Sequence, residues 1–271
     1  MNNLGFIGFG NMSQALCGGF LKSGLVASKN IFAYAPHYEK LCDNAKRFEI
    51  NACKSLKEIV SECDTLIMAC KPYQIESVIS ETRNDLMWKT LVSVAAGWDF
   101  AKYESVLSVN GENGKDYTRL QFVMPNTPAL VGEGVMLFEE KNSLDENERK
   151  EIIKLFEAVG KVVFLPSNLM GIGGAVSGCG PAFVDLFMEA YADAAVKYGV
   201  PRKTAYELIS QTLIGSALLQ AETGEHPGVL KDNVCSPNGT TICGVAALEE
   251  YGFRNACIKS IDAIMNKKKQ N

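Results

Sequence analysis

The chain has 271 residues, of which 47% are hydrophobic and 21% charged, with a formal net charge of −4 and a pI near 5.4. At roughly 150 residues per domain this is about two domains, or one large one, long enough to bury a core without disulfide or metal staples. The apolar content excludes a disordered chain, the lack of any period excludes collagen-like and low-complexity classes, and the acidic balance argues against a nucleic-acid groove. The one basic run, Lys267-Lys268-Lys269, reads as a solvated helix end, where cations are favoured. Nine cysteines stand singly, at 17, 42, 53, 63, 70, 179, 235, 243 and 257, beside only two histidines, His37 and His226. An odd count without a CxxC pair fits neither a disulfide framework nor a zinc site, so no metal is expected. Met1-Asn2-Asn3 leads straight into an apolar run without the charged and long apolar regions of a secretory signal. The longest uncharged apolar stretches are short or interrupted by glycine, so no membrane span is expected. The expectation is a reduced, soluble, cytoplasmic protein.

Residues 4–8 predict a short buried strand, followed at once by glycines and by residues 12–22 in helical spacing. Residues 30–35 predict a second strand ended by Pro36, and residues 38–48 a helix. The apolar pattern recurs at residues 65–70, closed by Lys71-Pro72, and again at residues 90–95 and 120–124. Continuous apolar runs separated by helical stretches predict an α/β fold, a doubly wound parallel sheet with helices on both faces. Near residue 166 the character changes, which places the expected domain boundary between residues 1–165 and 166–271. Phe183, Leu186, Phe187, Ala190, Tyr191 and Ala194 then form one helical apolar stripe, with Pro181 expected in the first turn and Gly199 at the stop. Pro201 opens another helix to about residue 221 and residues 241–251 begin a further one, so the second half reads as all-α.

Gly8-Phe9-Gly10-Asn11-Met12-Ser13 places G-x-G-x-x-S between the first strand and the first helix. Gly8 permits the tight turn, Gly10 lets backbone approach a pyrophosphate, and the helix N-terminus offers free N–H groups to an anion. In this βαβ context the turn reads as a dinucleotide site rather than a simple structural turn. The second strand ends Ala33-Tyr34-Ala35-Pro36-His37-Tyr38, without the carboxylate that holds an NAD ribose, while His37 and Lys40 could help with a 2′-phosphate. The expected cofactor is NADPH, with NADH also admissible.

Further segments complete a set: Ala69-Cys70-Lys71-Pro72, Val92-Ser93-Val94-Ala95-Ala96-Gly97, Val123-Met124-Pro125-Asn126-Thr127-Pro128-Ala129, Ser177-Gly178-Cys179-Gly180-Pro181-Ala182-Phe183, Glu222-Thr223-Gly224-Glu225-His226-Pro227 and Leu230-Lys231-Asp232-Asn233-Val234-Cys235-Ser236-Pro237-Asn238-Gly239-Thr240-Thr241. In this order and spacing, over residues 5–262, the chain resembles the pyrroline-5-carboxylate reductases, which make proline from its cyclic imine precursor. The resemblance implies a Rossmann-type N-terminal domain and an all-α C-terminal dimerisation domain. It implies a homodimer or higher homo-oligomer, with the active site where the cofactor domain of one subunit meets the helical domain of another. Carried over by motif, it implies cofactor contacts at Gly8, Phe9, Gly10, Asn11, Met12, Ala35, His37, Ala69, Cys70, Lys71, Pro72 and Ala96. It implies substrate contacts at Asn233, Ser236, Gly239, Thr240 and Thr241, with Thr241 the catalytic residue.

The residues suit that chemistry. The substrate is a small anion with a C=N bond, and a turn running into a helix start can hold its carboxylate through N–H groups. A Thr241 hydroxyl can hydrogen-bond the ring nitrogen. A protonated imine accepts hydride readily, so no strong general acid is needed and alignment carries the catalysis. Taken as residues alone, Ser236, Thr240 and Thr241 also suit simple N-capping. The chain departs from the family pattern at Asn238, where a second glycine is usual, at Phe122, where an arginine often stands, at Leu56 beside Ser55 in place of an asparagine, and in residues 167–174, which lack the usual acidic side chains. Lys71 reads as a strand-end lysine rather than a Schiff-base nucleophile. Cys179 and Cys235 read as small hydrophobes, His226 as a turn contact, and Glu249-Glu250 as a solvated pair. The alternatives are a reductase of another small cyclic imine, a β-hydroxyacid dehydrogenase relative, or a non-catalytic nucleotide-binding regulator. A dehydrogenase of that kind needs a lysine on the helix after Pro181, which offers only Lys197 at its far end.

Overall fold

The computed structural model describes residues 3–107 and 117–270, in two compact units, residues 1–178 and 179–271. In the first unit, β1 (Leu4–Ile7), β2 (Ile31–Tyr34), β3 (Asn51–Ala52), β4 (Thr65–Met68), β5 (Thr90–Ser93), β6 (Arg119–Met124), β7 (Gly134–Glu139) and β8 (Gly160–Leu165) form one sheet in the order β3-β2-β1-β4-β5-β6-β7-β8. Every neighbouring pair is parallel except β6 and β7. The connecting helices are α1 (Asn11–Ser23), α2 (Tyr38–Phe48), α3 (Leu56–Glu62), α4 (Ile75–Thr82), α5 (Phe100–Glu104) and α6 (Glu146–Glu157).

The apolar strand runs are continuous because both faces of the sheet are covered. Along β1, Leu4 and Phe6 join one cluster with Leu16, Phe20, Val92 and Phe138. Ile7 joins the other, with Leu56, Ile59, Leu66, Met68 and Trp98. Burial of each large side chain contributes roughly 1.5–3 kcal/mol, which specifies the register strongly. Of the strands missed by the sequence pattern, β3 has two residues and β8 is only half-buried, while β7 is as apolar and buried as those that were found.

The second unit is helical: the greater part of α7 (Met170–Lys197), then α8 (Arg202–Thr223), α9 (Pro227–Val234), α10 (Thr240–Glu250) and α11 (Phe253–Gln270). Lys267 is exposed on α11, while the side chains of Lys268 and Lys269 lie outside the described residues. His226 is the N-cap of α9, its Nδ1 accepting from the Gly228 N–H at 3.0 Å, and Glu249 pairs with Arg254 at 2.6 Å.

Helix α7 departs from its expected start. It begins at Met170 rather than near residue 177 and runs through Gly171, Gly173, Gly174, Gly178 and Gly180, so that Pro181 lies inside it instead of in its first turn. The glycines do not break the helix. At Gly173 a Cβ would fall 2.4 Å from Leu165 Cδ1, so the missing side chain admits close packing on the sheet. Read as one helix, the stretch is long and apolar enough to cross a bilayer by length and composition alone.

Pro181 has no N–H to donate to the Ser177 carbonyl one turn earlier. The Asn126 side chain supplies the replacement, its Nδ2 donating to Ser177 O at 3.0 Å while its Oδ1 accepts from Val135 N at 2.8 Å. Asn126 is 7% exposed, so both bonds are sheltered from water. The Pro-Asn-Thr-Pro and Ser-Gly-Cys-Gly-Pro segments are thus chemically coupled. We expect Asn126→Ala to cost roughly 1–3 kcal/mol by stranding the partly buried Ser177 carbonyl and Val135 N–H. In a Pro181→Ala background the new N–H reaches Ser177 O and the cost should shrink. A thermal-melt double-mutant cycle showing equal losses in both backgrounds would dismiss the coupling.

Candidate functional site

The order of strands reverses at β1, whose neighbours are β2 on one side and β4 on the other. Their carboxyl ends leave a crevice at this switch point, the place where ligands bind in open α/β sheets. Gly8 forms its floor. Its N–H donates to Tyr34 O at 2.8 Å, and Ala69 N donates to Ile7 O at 2.9 Å, so the ends of three strands are tied together. Gly8 has φ +96, and a Cβ there would lie 2.6 Å from Cys70 N and 2.8 Å from the Ala69 carbonyl carbon. Only glycine fits both demands. Gly10 is different: its φ of −85 suits any residue, and a Cβ would meet nothing within 4 Å. No protein atom requires glycine at that position.

Ser13 is buried and donates through Oγ to Gly8 O at 2.7 Å, and Gln14 Nε2 donates to Phe9 O at 3.2 Å, which locks the turn onto α1. The Gly10 cap supplies no side-chain acceptor, so the first-turn N–H groups of α1 remain available to an anion.

A cleft of about 850 Å³ opens over this turn. Gly8, Phe9, Gly10, Asn11, Ala35, His37, Ala69, Cys70 and Lys71 line it, together with Lys40. Met12, Pro72 and Ala96 do not line it, although each adjoins a residue of the crevice loops; Ala96 is exposed in the turn after β5. Sequence reasoning missed Asn44 and Arg47, which line the cleft on the same face of α2 as Lys40. The i, i+4, i+7 spacing of Lys40, Asn44 and Arg47 carried that signal. His37 is the N-cap of α2 and makes no side-chain capping bond. Burial pushes the Cys70 thiol up to about 11, so it stays neutral near pH 7 and is no nucleophile.

Two departures from the family pattern have structural explanations. Leu56 lines the cleft, while Ser55 caps α3 by accepting from Glu58 N at 3.1 Å. Phe122 is a core residue, packed with Leu137 and Met170.

In the helical unit, Ser236, Gly239, Thr240 and Thr241 come together in a turn that enters α10, with Gly239 as the N-cap. Gly239 N donates to Ser236 O at 3.0 Å, closing the turn. Asn238 adopts φ +58, so asparagine takes the left-handed position as a second glycine would. Neither Thr240 nor Thr241 is spent on capping, because no side chain caps this helix. Both are exposed, as is Asn233 at the end of α9. The turn therefore presents free N–H groups, a helix dipole and two hydroxyls, with no carboxylate or imidazole between Ser236 and Thr241.

A family model described as pyrroline-5-carboxylate reductase dimerisation matches residues 167–271, and one described as NADP oxidoreductase, coenzyme F420-dependent, matches residues 3–97. The chain is 38% identical over 264 residues to the pyrroline-5-carboxylate reductase of Treponema pallidum, covering 97% of this chain and 99% of that protein. It is 39% identical over 265 residues to the enzyme of that name from Escherichia coli, covering 97% and 96%. A crystal structure of Plasmodium falciparum pyrroline carboxylate reductase with NADP bound superposes with a TM-score of 0.87 at 31% identity, covering 99% of this chain and 97% of that one. With likeness of this extent across both units, the chain belongs to the pyrroline-5-carboxylate reductase family.

Proposed function

We propose that the chain reduces 1-pyrroline-5-carboxylate to L-proline, with NADPH supplying the hydride that reaches the C=N carbon. The observation that carries this reading is the full-length likeness to reductases of that name, which extends over the glycine turn and the α10 turn alike. The crevice fits the cofactor on its own geometry, since Gly10 is open to an approaching pyrophosphate and the start of α1 is uncapped. Gly8, Phe9, Gly10 and Asn11, with Met12 behind them, hold the diphosphate. Ala35 and His37 flank the adenosine ribose. Ala69, Cys70, Lys71, Pro72 and Ala96 border the nicotinamide half. Lys40 and Arg47 supply positive charge for a 2′-phosphate, where an NAD-selective site carries a carboxylate instead.

The α10 turn holds the substrate. The N–H groups of Thr240 and Thr241 bind its carboxylate, assisted by Ser236 and Asn233, in the turn that Gly239 closes. Thr241 Oγ1 accepts from the N–H of the protonated imine and so fixes the ring plane. Reduction at carbon leaves that proton on nitrogen, so charge balances without an acid from the protein. We assign residues 1–165 to the cofactor and residues 166–271 to substrate and assembly.

The protein acts as a homodimer or higher homo-oligomer. Among the described residues of the helical unit, only Ala192 and Ala205 are fully buried hydrophobics, while Leu186, Leu208, Leu218 and Ile258 are each more than half exposed. A unit of this size cannot leave so much apolar surface in water, and a matching surface of a second copy removes it. The same demand accounts for the apolar length of α7 without a bilayer. The cysteines, all free thiols, fit a reducing cytoplasm.

Thr241→Val should lower kcat/KM for the imine roughly ten- to hundredfold, the worth of a hydrogen bond to a charged group, with NADPH binding unchanged. Unaltered turnover would remove Thr241 from the reaction. Gly10→Ala should melt like the wild type yet lose NADPH binding, whereas Gly8→Ala should lower the melting temperature itself; calorimetry and titration separate the two. Lys40→Ala combined with Arg47→Ala should raise KM for NADPH about tenfold or more and leave KM for NADH nearly constant, measured side by side.

A further inference from the structure

Two loops leave the carboxyl ends of the adjacent strands β4 and β5. The first is closed on itself, with Gln74 N donating to Lys71 O at 2.8 Å and Lys71 N donating to Gln74 Oε1 at 3.1 Å. Its residues Lys71, Tyr73 and Gln74 line the cleft. The second is a tight turn in which Trp98 N donates to Ala95 O at 3.2 Å and Gly97 takes φ +79, leaving Ala96 and Gly97 exposed at its tip. Backbone pairing between the two strands ends where Val94 N donates to Met68 O at 3.0 Å. Past that rung a side chain joins the loops: Trp98 Nε1 donates to Pro72 O at 3.1 Å.

The indole is itself immobilised. Trp98 is 1% exposed, its ring lies 5.0 Å from that of Tyr103, and Lys102 Nζ stands 4.4 Å above it. Tyr103 and Lys102 both belong to α5, which begins two residues after Trp98. The anchor is therefore the helix that follows the second loop, and the held group is a carbonyl of the first. The N–H is the atom that reaches across.

We propose that Trp98 is a positioning residue for the reaction, its indole N–H fixing the Lys71–Gln74 loop against the Ala95–Trp98 turn so that the nicotinamide half of the cleft is set before cofactor arrives. This rests on the cofactor reading above. A loop held in its binding geometry binds without first being sorted from other conformations, and apparent affinity falls in proportion when the competent fraction falls. The effect belongs to cofactor affinity, not to the imine or to the fold.

The test is Trp98→Phe in the full-length protein, read by titration with NADPH alone, by steady-state kinetics with 1-pyrroline-5-carboxylate, and by melting temperature. The expected result is a rise of about three- to tenfold in Kd and KM for NADPH, the worth of one hydrogen bond. KM for the imine and kcat at saturating NADPH should stay within about twofold. A variant that binds NADPH as the wild type does overturns the proposal. If Trp98→Phe melts early, the decisive form is 3-benzothienylalanine at residue 98 in a Trp88→Phe background, where sulfur replaces the N–H in a ring of the same shape. Weakened NADPH binding with an unchanged melt then supports the proposal, and unchanged binding overturns it. Wild type that binds NADPH without reducing the imine sinks the substrate assignment and leaves this test intact, whereas wild type that does not bind NADPH removes both.

Discussion

The first unit depends on one backbone contact, that of Gly8 with the chain at Ala69 and Cys70. With φ +96 and less than a methyl group of clearance, Gly8 turns the chain from β1 into α1 while the β4 loop passes directly against it. A side chain here would force β1 and β4 apart at the switch point and open the crevice floor. The same contact brings the α1 N-terminus, the β2 end and the β4 loop to one place, each through a single hydrogen bond or cap. The anion site is thus a by-product of close packing: N–H groups left free by a tight turn point where no protein atom can follow.

Legibility of the fold follows where the physics is local. Residues 38–48 match α2 residue for residue because Pro36 ends the strand before it, and a left-handed Glu49 closes the helix after an amphipathic run. Strands β1, β4 and β5 were legible because both faces are buried and the apolar run is unbroken. Strand β8 was not, since it alternates between half-buried and exposed positions. The start of α7 was hidden as well. Glycine has poor helix propensity, but its value at Gly173 lies in contact with Leu165 and Leu137, which no local pattern reveals.

The candidate site divides in the same way. Gly8 and the Ser236–Thr241 turn are sequence motifs because backbone conformation and close approach demand particular residue types: a left-handed Asn238 and a glycine cap are visible in the string itself. Asn44 and Arg47 could have been found by spacing. Asn126 and Trp98 could not. Each acts through one hydrogen bond to a carbonyl that is unremarkable in sequence, at Ser177 and Pro72 respectively. Even where such a residue sits in a recognisable segment, as Asn126 does, its partner is set by topology and cannot be read from the string.

A common economy links the two halves. The α10 turn holds no carboxylate or imidazole, and the crevice cysteine is a neutral thiol, so little proton chemistry is left to the protein. Hydride transfer to an already protonated imine needs instead that two planar rings be held face to face at short range, where misplacement of about 1 Å can cost a hundredfold. The structure invests in rigidity accordingly. Asn126 stands in for the N–H missing at Pro181, Trp98 ties the loop after β4, which lines the cleft, to the turn after β5, and Asn238 holds its turn in a conformation few residues tolerate. Among the described residues of the helical unit almost no side chain is fully buried, so this unit has an apolar surface that only a partner can cover.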